Sequence, residues 1–240
     1  MSIIRKLTAI AFGLVLFGII ISVSASDDIS EKYAADALYS LHLFLGYGDD
    51  ADGVPNYGLD DDLTREQGIL LLLRMLGRTG EAEAAGYSHP FIDVSEYYNC
   101  YIGYAYHNGL TNGIDINLFG SGQTIDREMF ITFCLRALGW SDGEDGDFKW
   151  SEASEFAEML GFYSAPEMRS VDHFTRGDAV TVFWNVLETN IKDSSETMAE
   201  RLIAEGVIMA DAYLTAYMNY MTKIGQIGEY ELPKISLRSI

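Results

Sequence analysis

Three segments of this chain align with one another without a gap, and this self-similarity constrains the fold more than any other feature. "REQGILLLLRMLG" begins at Arg65, "REMFITFCLRALG" at Arg127 and "RGDAVTVFWNVLE" at Arg176. Leu76, Leu138 and Leu187 share one offset from the leading arginine, Leu73, Leu135 and Trp184 another, and Arg74, Arg136 and Asn185 a third. Repetition of this kind marks units that cannot bury their apolar faces alone and must pack on one another.

Each segment is apolar on more than one side, and residues 69–73, "ILLLL", leave almost no polar face. Buried strands would produce similar runs. The length of the segments and the Gly77 and Gly139 stop signals favour helices. A helix apolar all round belongs in the middle of a domain. Thr64, Asp126 and Thr175 are placed to accept a free backbone N–H at each helix start. Leu63, Ile125 and Phe174, one residue earlier, are placed to pack back onto the helix as staples.

A second repeated element precedes each of these, at 33–48, 98–113 and 151–165, and a fourth copy follows at 194–208. The expectation is an all-α fold of three repeats, 26–80, 81–140 and 141–192, around three central helices. A helix at 193–210 would cap the array, followed by a C-terminal extension at 211–240. "GRTGEAEAAGYSHPFIDVSE" reads as a linker between the first two repeats.

The first 25 residues have the pattern of a secretory signal: Arg5 and Lys6, an apolar run over 7–21, and small residues before a cleavage point after Ala25. An uncleaved membrane anchor is the competing reading, although the run is short for a span. The formal net charge of −20 disfavours nucleic acid and anionic lipid as partners. Two cysteines, Cys100 and Cys134, are too few for a disulfide framework, and free thiols compete with a single bridge.

Signatures of catalysis are missing from the sequence. It has no GxSxG, no HExxH and no phosphate-cradling glycine loop. His42, His89, His107 and His173 lack metal-ligand spacing, and the Asp-rich loops fail the calcium-loop register. A binding protein without enzymatic activity and without a cofactor is expected, with an unrecognised glycan hydrolase as the weakest alternative. Tyr97, Tyr98, Tyr101, Tyr104 and Tyr106 crowd one helical stretch, where they serve either packing or ligand contact. The three arginines pose a similar choice. Arg in a first helical turn works against the local dipole. Its recurrence at one aligned position asks either for pairing with a neighbouring repeat or for an anion site.

Taken together, these motifs resemble the S-layer homology (SLH) domain family, in tandem triplets, over roughly residues 30–208. "LTREQGILLLLRMLG" is similar to the family's Thr-Arg-Ala-Glu helix start. "FIDVSEYYNCYIGYAYHNGLTNG" is similar to its Phe-x-Asp-Val opening, helix and Gly-Leu-x-x-Gly turn, and "FTRGDAVTVFWNVL" repeats the helix start. The resemblance implies a pseudo-threefold bundle with grooves between repeats. It also implies a secreted protein of the cell wall or surface that binds secondary cell-wall polysaccharide, often pyruvylated. A degenerate member would instead bind envelope proteins or itself. By position, the implied ligand-binding residues are Arg65, Arg127 and Arg176 with Thr64, Thr175 and Asp178. Asp126 departs from the motif Thr. Glu66, Glu128 and Gly177 replace the motif Ala, and Gln67 and Met129 replace the motif Glu. A like charge beside an anion site lowers affinity, so Arg127, between Asp126 and Glu128, is expected to contribute least.

Overall fold

The computed structural model describes residues 30–162 and 173–225. The expected signal segment, residues 163–165 of the third lead element and the last part of the C-terminal extension lie outside the described residues. Among the described residues the chain is helical, with isolated β-bridges and no strand. Helix α1 covers residues 30–40. It is followed by α2 (Arg65–Met75), α3 (Thr79–Ala85), α4 (Glu96–His107), α5 (Arg127–Ala137), α6 (Ala153–Leu160), α7 (Arg176–Leu187), α8 (Met198–Ala204) and α9 (Ala210–Lys223). The three aligned segments are therefore helices α2, α5 and α7, not buried strands.

These three helices pack on one another in all three pairings. Their composition explains why. Ile69, Leu72, Leu73, Phe130, Ile131, Leu135, Val180, Phe183 and Leu187 lose nearly all solvent contact. At about 25 cal/mol per Å² of apolar surface, such side chains supply most of the drive to assemble. Each helix starts where the sequence places it. The Thr64 hydroxyl accepts from the Gln67 N–H and the Asp126 carboxylate from the Met129 N–H, while the Thr175 hydroxyl accepts from the Asp178 N–H. Gln67 and Asp178 return the favour, accepting from the backbone N–H of Thr64 and Thr175 in closed capping boxes. Leu63, Ile125 and Phe174 are all buried. The glycine stop signals also hold: Gly77 and Gly139 take φ of 67° and 92°, the left-handed conformation that ends a helix at low cost in Gly alone.

Around the centre, α4 lies on α2, α6 on α5 and α8 on α7. One expectation fails here. The presumed linker after Gly77 contains α3, which packs on α4. Tyr101 and Tyr104 hold that contact by donating to Glu83 at 2.6 Å and Glu81 at 2.8 Å. Their phenols are pushed up to about 12, Tyr101 chiefly by the Glu83 hydrogen bond and Tyr104 chiefly by burial. Part of the tyrosine cluster thus has a packing role. The last helix, α9, returns to the first: Lys223 pairs with Asp36 at 3.0 Å, and Trp184 of α7 sits among Tyr213, Tyr217 and Tyr220. Cys100 and Cys134 are free, and burial pushes the Cys134 thiol upward, as expected of a packing residue.

Candidate functional site: an arginine groove beside the second central helix

The leading arginines serve the fold before they serve any ligand. Arg65 is 3% exposed and Arg176 is 5% exposed. The Arg65 backbone N–H donates to the Gln123 carbonyl at 3.0 Å, and its Nε donates to the Phe119 carbonyl at 2.9 Å. The Arg176 N–H donates to Asp61 at 3.0 Å, and its Nε to Tyr57 at 3.1 Å. Phe119 and Gln123 stand to Arg127 at the same offsets as Tyr57 and Asp61 stand to Arg65. So the first repeat grips the loop of the second, and the third grips the loop of the first, by one and the same device. Arg127 is half-buried, and the corresponding partner position, Met168, lies outside the described residues.

The Arg65 and Arg176 guanidinium groups also lie over aromatic rings, where cation–π attraction offsets part of their lost hydration. Arg65 sits 5.1 Å from the Phe119 ring centroid and 5.5 Å from that of Phe133. Arg176 sits 5.2 Å from Phe44 and 4.5 Å from the exposed Tyr47. Burial pulls both guanidinium groups below their ordinary pKa. Asp126 opposes this at Arg65, and Tyr47 opposes it at Arg176.

The acids that replace the motif Ala join the same inter-repeat junctions. Both Glu66 oxygens accept from the Gly122 N–H, at 2.9 and 3.0 Å. Glu128 accepts from the Ser154 N–H at 2.8 Å and from the Ser154 hydroxyl, fixing the start of α6. At the third junction the acid comes from the other side. Gly177 faces the buried Glu31 of α1, and a Cβ on Gly177 would collide with that carboxylate. Glu66 and Glu128 are thus committed to donors on the next repeat rather than free to repel a ligand. Thr64, Thr175 and Asp178 are likewise committed to the helix starts, and Asp178 is buried. The structure gives these three a supporting position at the helix starts.

Arg65 lines an open groove of about 520 Å³ with Arg136, Thr132, Phe133, Ile114 and Trp150. Arg136, in the last turn of α5, forms a fork with Asp142 at 2.8 and 2.7 Å and also donates to the Leu110 carbonyl at 3.3 Å. Arg136 adds to the lowering of Arg65, so two like charges share this groove. Trp150 presents 54% of its surface. Two cations and one acid, Asp142, line the groove beside an exposed indole, a net positive wall that can take an anionic group attached to a flat apolar face. The groove's shape depends on Asp93, which accepts from the backbone N–H groups of Phe119, Gly120 and Ser121 at 2.8, 2.8 and 3.0 Å. In the sequence, Asp93 stands in the Phe-x-Asp-Val-like opening and Arg136 in the aligned helix, but neither position by itself signals a role in the site. Trp150 carried no signal, because it opens a short 3-10 turn just after the acidic connector that follows the second repeat.

A second cavity, about 560 Å³, lies at the C-terminal end of α7. There Asn185 occupies the position of Arg136, and Glu188 that of Gly139. Asp193 also lines it, so its walls are acidic where the first groove is basic.

No protein-family model matches the chain. Over 223 residues it is 28% identical to a "Cell surface protein" of Thermoanaerobacter kivui, covering 87% of this chain and 28% of that relative. Over 171 residues it is 23% identical to a "Middle cell wall protein" of Brevibacillus brevis, covering 70% of this chain and 16% of that relative. The chain therefore spans less than a third of the length of these curated relatives.

Proposed function

We propose that this is a noncatalytic cell-envelope protein of SLH type that holds an acidic wall polysaccharide in the groove between its first two repeats. The observation that carries the reading is the joint placement of Arg65 and Arg136 in one open groove with the exposed Trp150. The guanidinium groups would take the acid of a sugar unit, and the indole its apolar face. The names of the two relatives support a cell-envelope location, at the wall or surface. The matching Arg65 and Arg176 junctions, with the Glu128–Ser154 contact between the second and third repeats, support a pseudo-threefold arrangement of the three repeats.

The test is a pull-down with purified sacculi of the producing bacterium, before and after extraction of their secondary polymer. Binding to intact sacculi that is lost on extraction is expected; equal binding to both, or to neither, overturns the reading. Trp150→Ala should weaken binding about fivefold to tenfold without lowering Tm, because this side chain contributes contact area rather than core. Association with envelope proteins or with itself is a second reading. It is favoured by the adjacent exposed Ile92 and Ile116, joined through the Ile92 N–H to the Asn117 carbonyl. Sedimentation as a strict monomer, with no partner captured from the envelope, would count against it.

A further inference from the structure

One buried polar atom in the groove has no partner. Thr132 lies inside α5, is 4% exposed and lines the groove, yet its Oγ1 makes no hydrogen bond. A threonine inside a helix has a ready solution, donating to the carbonyl four residues back. Three other threonines within helices take it: Thr181 donates to Gly177 at 3.2 Å, Thr215 to Asp211 at 2.8 Å and Thr222 to Met218 at 2.7 Å. Thr181 is an especially close control, because it holds the same offset from Arg176 as Thr132 holds from Arg127. The third residue at that offset is Leu70, a buried apolar side chain, so packing does not require a hydroxyl there. A buried hydroxyl without a partner destabilises the chain that carries it. Fold stability does not account for its presence.

Resting on the groove reading above, we infer that Thr132 is a ligand contact, its hydroxyl donating to an oxygen of the bound sugar unit. The contact would lie on the groove wall beside Arg136, one turn further along the same helix, and Phe133, which line the same cavity; a change of rotamer would turn the hydroxyl, now without open surface, to the ligand. The ligand class this selects is an oxygen-rich acidic pyranose, rather than an acid on an apolar scaffold. Such a ligand can satisfy Thr132 while its acid lies at Arg65 and Arg136. An apolar carboxylate would leave the hydroxyl unpaired, which is a strong ground for rejection.

Thr132→Val removes the hydroxyl at nearly constant volume and gives two readouts of opposite sign. Affinity for purified sacculi should fall about tenfold, the worth of one hydrogen bond in a desolvated site. Tm should stay level or rise by about 2 °C, because an unsatisfied group has been removed. Thr132→Ser, which keeps the hydroxyl, should retain most of the affinity. If the unaltered chain binds sacculi and Thr132→Val binds them equally well, the role of Thr132 is overturned and the groove reading stands. If the unaltered chain does not bind, both fall together.

Discussion

The junction made by Arg65 and the junction made by Arg176 use matching hydrogen bonds at matching offsets, yet they differ at the very next residue. After Arg65 comes Glu66, whose carboxylate reaches forward to the Gly122 N–H. After Arg176 comes Gly177, which makes room for the carboxylate of Glu31 arriving from α1. Both junctions bury an acid at the residue that follows the arginine, but the acid is supplied from opposite sides. What is fixed is the local composition of the junction, a buried arginine followed by a position where a carboxylate is excluded from water. Which helix supplies the anion is free to vary, and the alignment of motif letters misses this because it compares helices rather than junctions.

The sharpest way to break that comparison is Gly177→Ala. The new methyl has nowhere to go but into the Glu31 carboxylate, so we expect a loss of about 3 kcal/mol and a drop in Tm of about 6–10 °C. Gly80→Ala, in α3 where a Cβ meets open space, should be neutral or slightly stabilising and controls for backbone effects. Adding Glu31→Ala to Gly177→Ala should recover part of the loss, since direct contacts couple. Strictly additive effects would show that Glu31 and Gly177 do not form the junction described here.

A smaller effect is expected at Asp93, which shapes only the first of the two junctions. Burial works to raise its carboxyl, but the Phe119, Ser121 and Gly120 amides outweigh burial and hold it below its ordinary value of 3.8. A depressed carboxyl contributes stability that is present above its unfolded value and lost as pH falls through its folded one. Asp93→Asn should therefore cost about 1.5 kcal/mol near pH 7. The gap from the unaltered chain should close as pH drops below about 3.8. Thermal melts across pH 2–7 would measure it, and a gap independent of pH would rule out the charge as the cause. Because Phe119 is also the Nε partner of Arg65, the same substitution should loosen the groove while leaving the Arg176 junction intact.

Much of this architecture could be read before any coordinates. The central helices were legible because apolar runs bounded by Thr64, Asp126, Thr175, Gly77 and Gly139 carry their start and stop signals locally. The arginines were legible as a set because they recur. What was not legible depends on contacts distant in sequence. Nothing near Arg136 or Thr132 says that they face Arg65 across a groove, and nothing near Glu31 says that it will meet Gly177. Helix α3 was missed for a related reason. "TGEAEAA" is short and weakly apolar, and it is held chiefly by the tyrosines of α4, which no local pattern announces.

The smallest expected difference lies in the two caps. Thr64 and Thr175 close the same capping box, but with Gln67 in one and Asp178 in the other. At Thr64 the partner is neutral and the site half-buried, so Thr64→Ala should cost about 1 kcal/mol. At Thr175 both residues are buried, and the Asp178 carboxylate accepts from the Thr175 N–H at 2.8 Å and from its hydroxyl at 3.2 Å. Removing that hydroxyl deprives a buried carboxylate of a donor as well as uncapping the helix. Thr175→Ala should therefore cost about 2 kcal/mol, roughly twice as much. Urea unfolding of the two variants would measure the difference. Equal losses would mean that capping alone sets the cost and that the buried carboxylate draws its support from elsewhere.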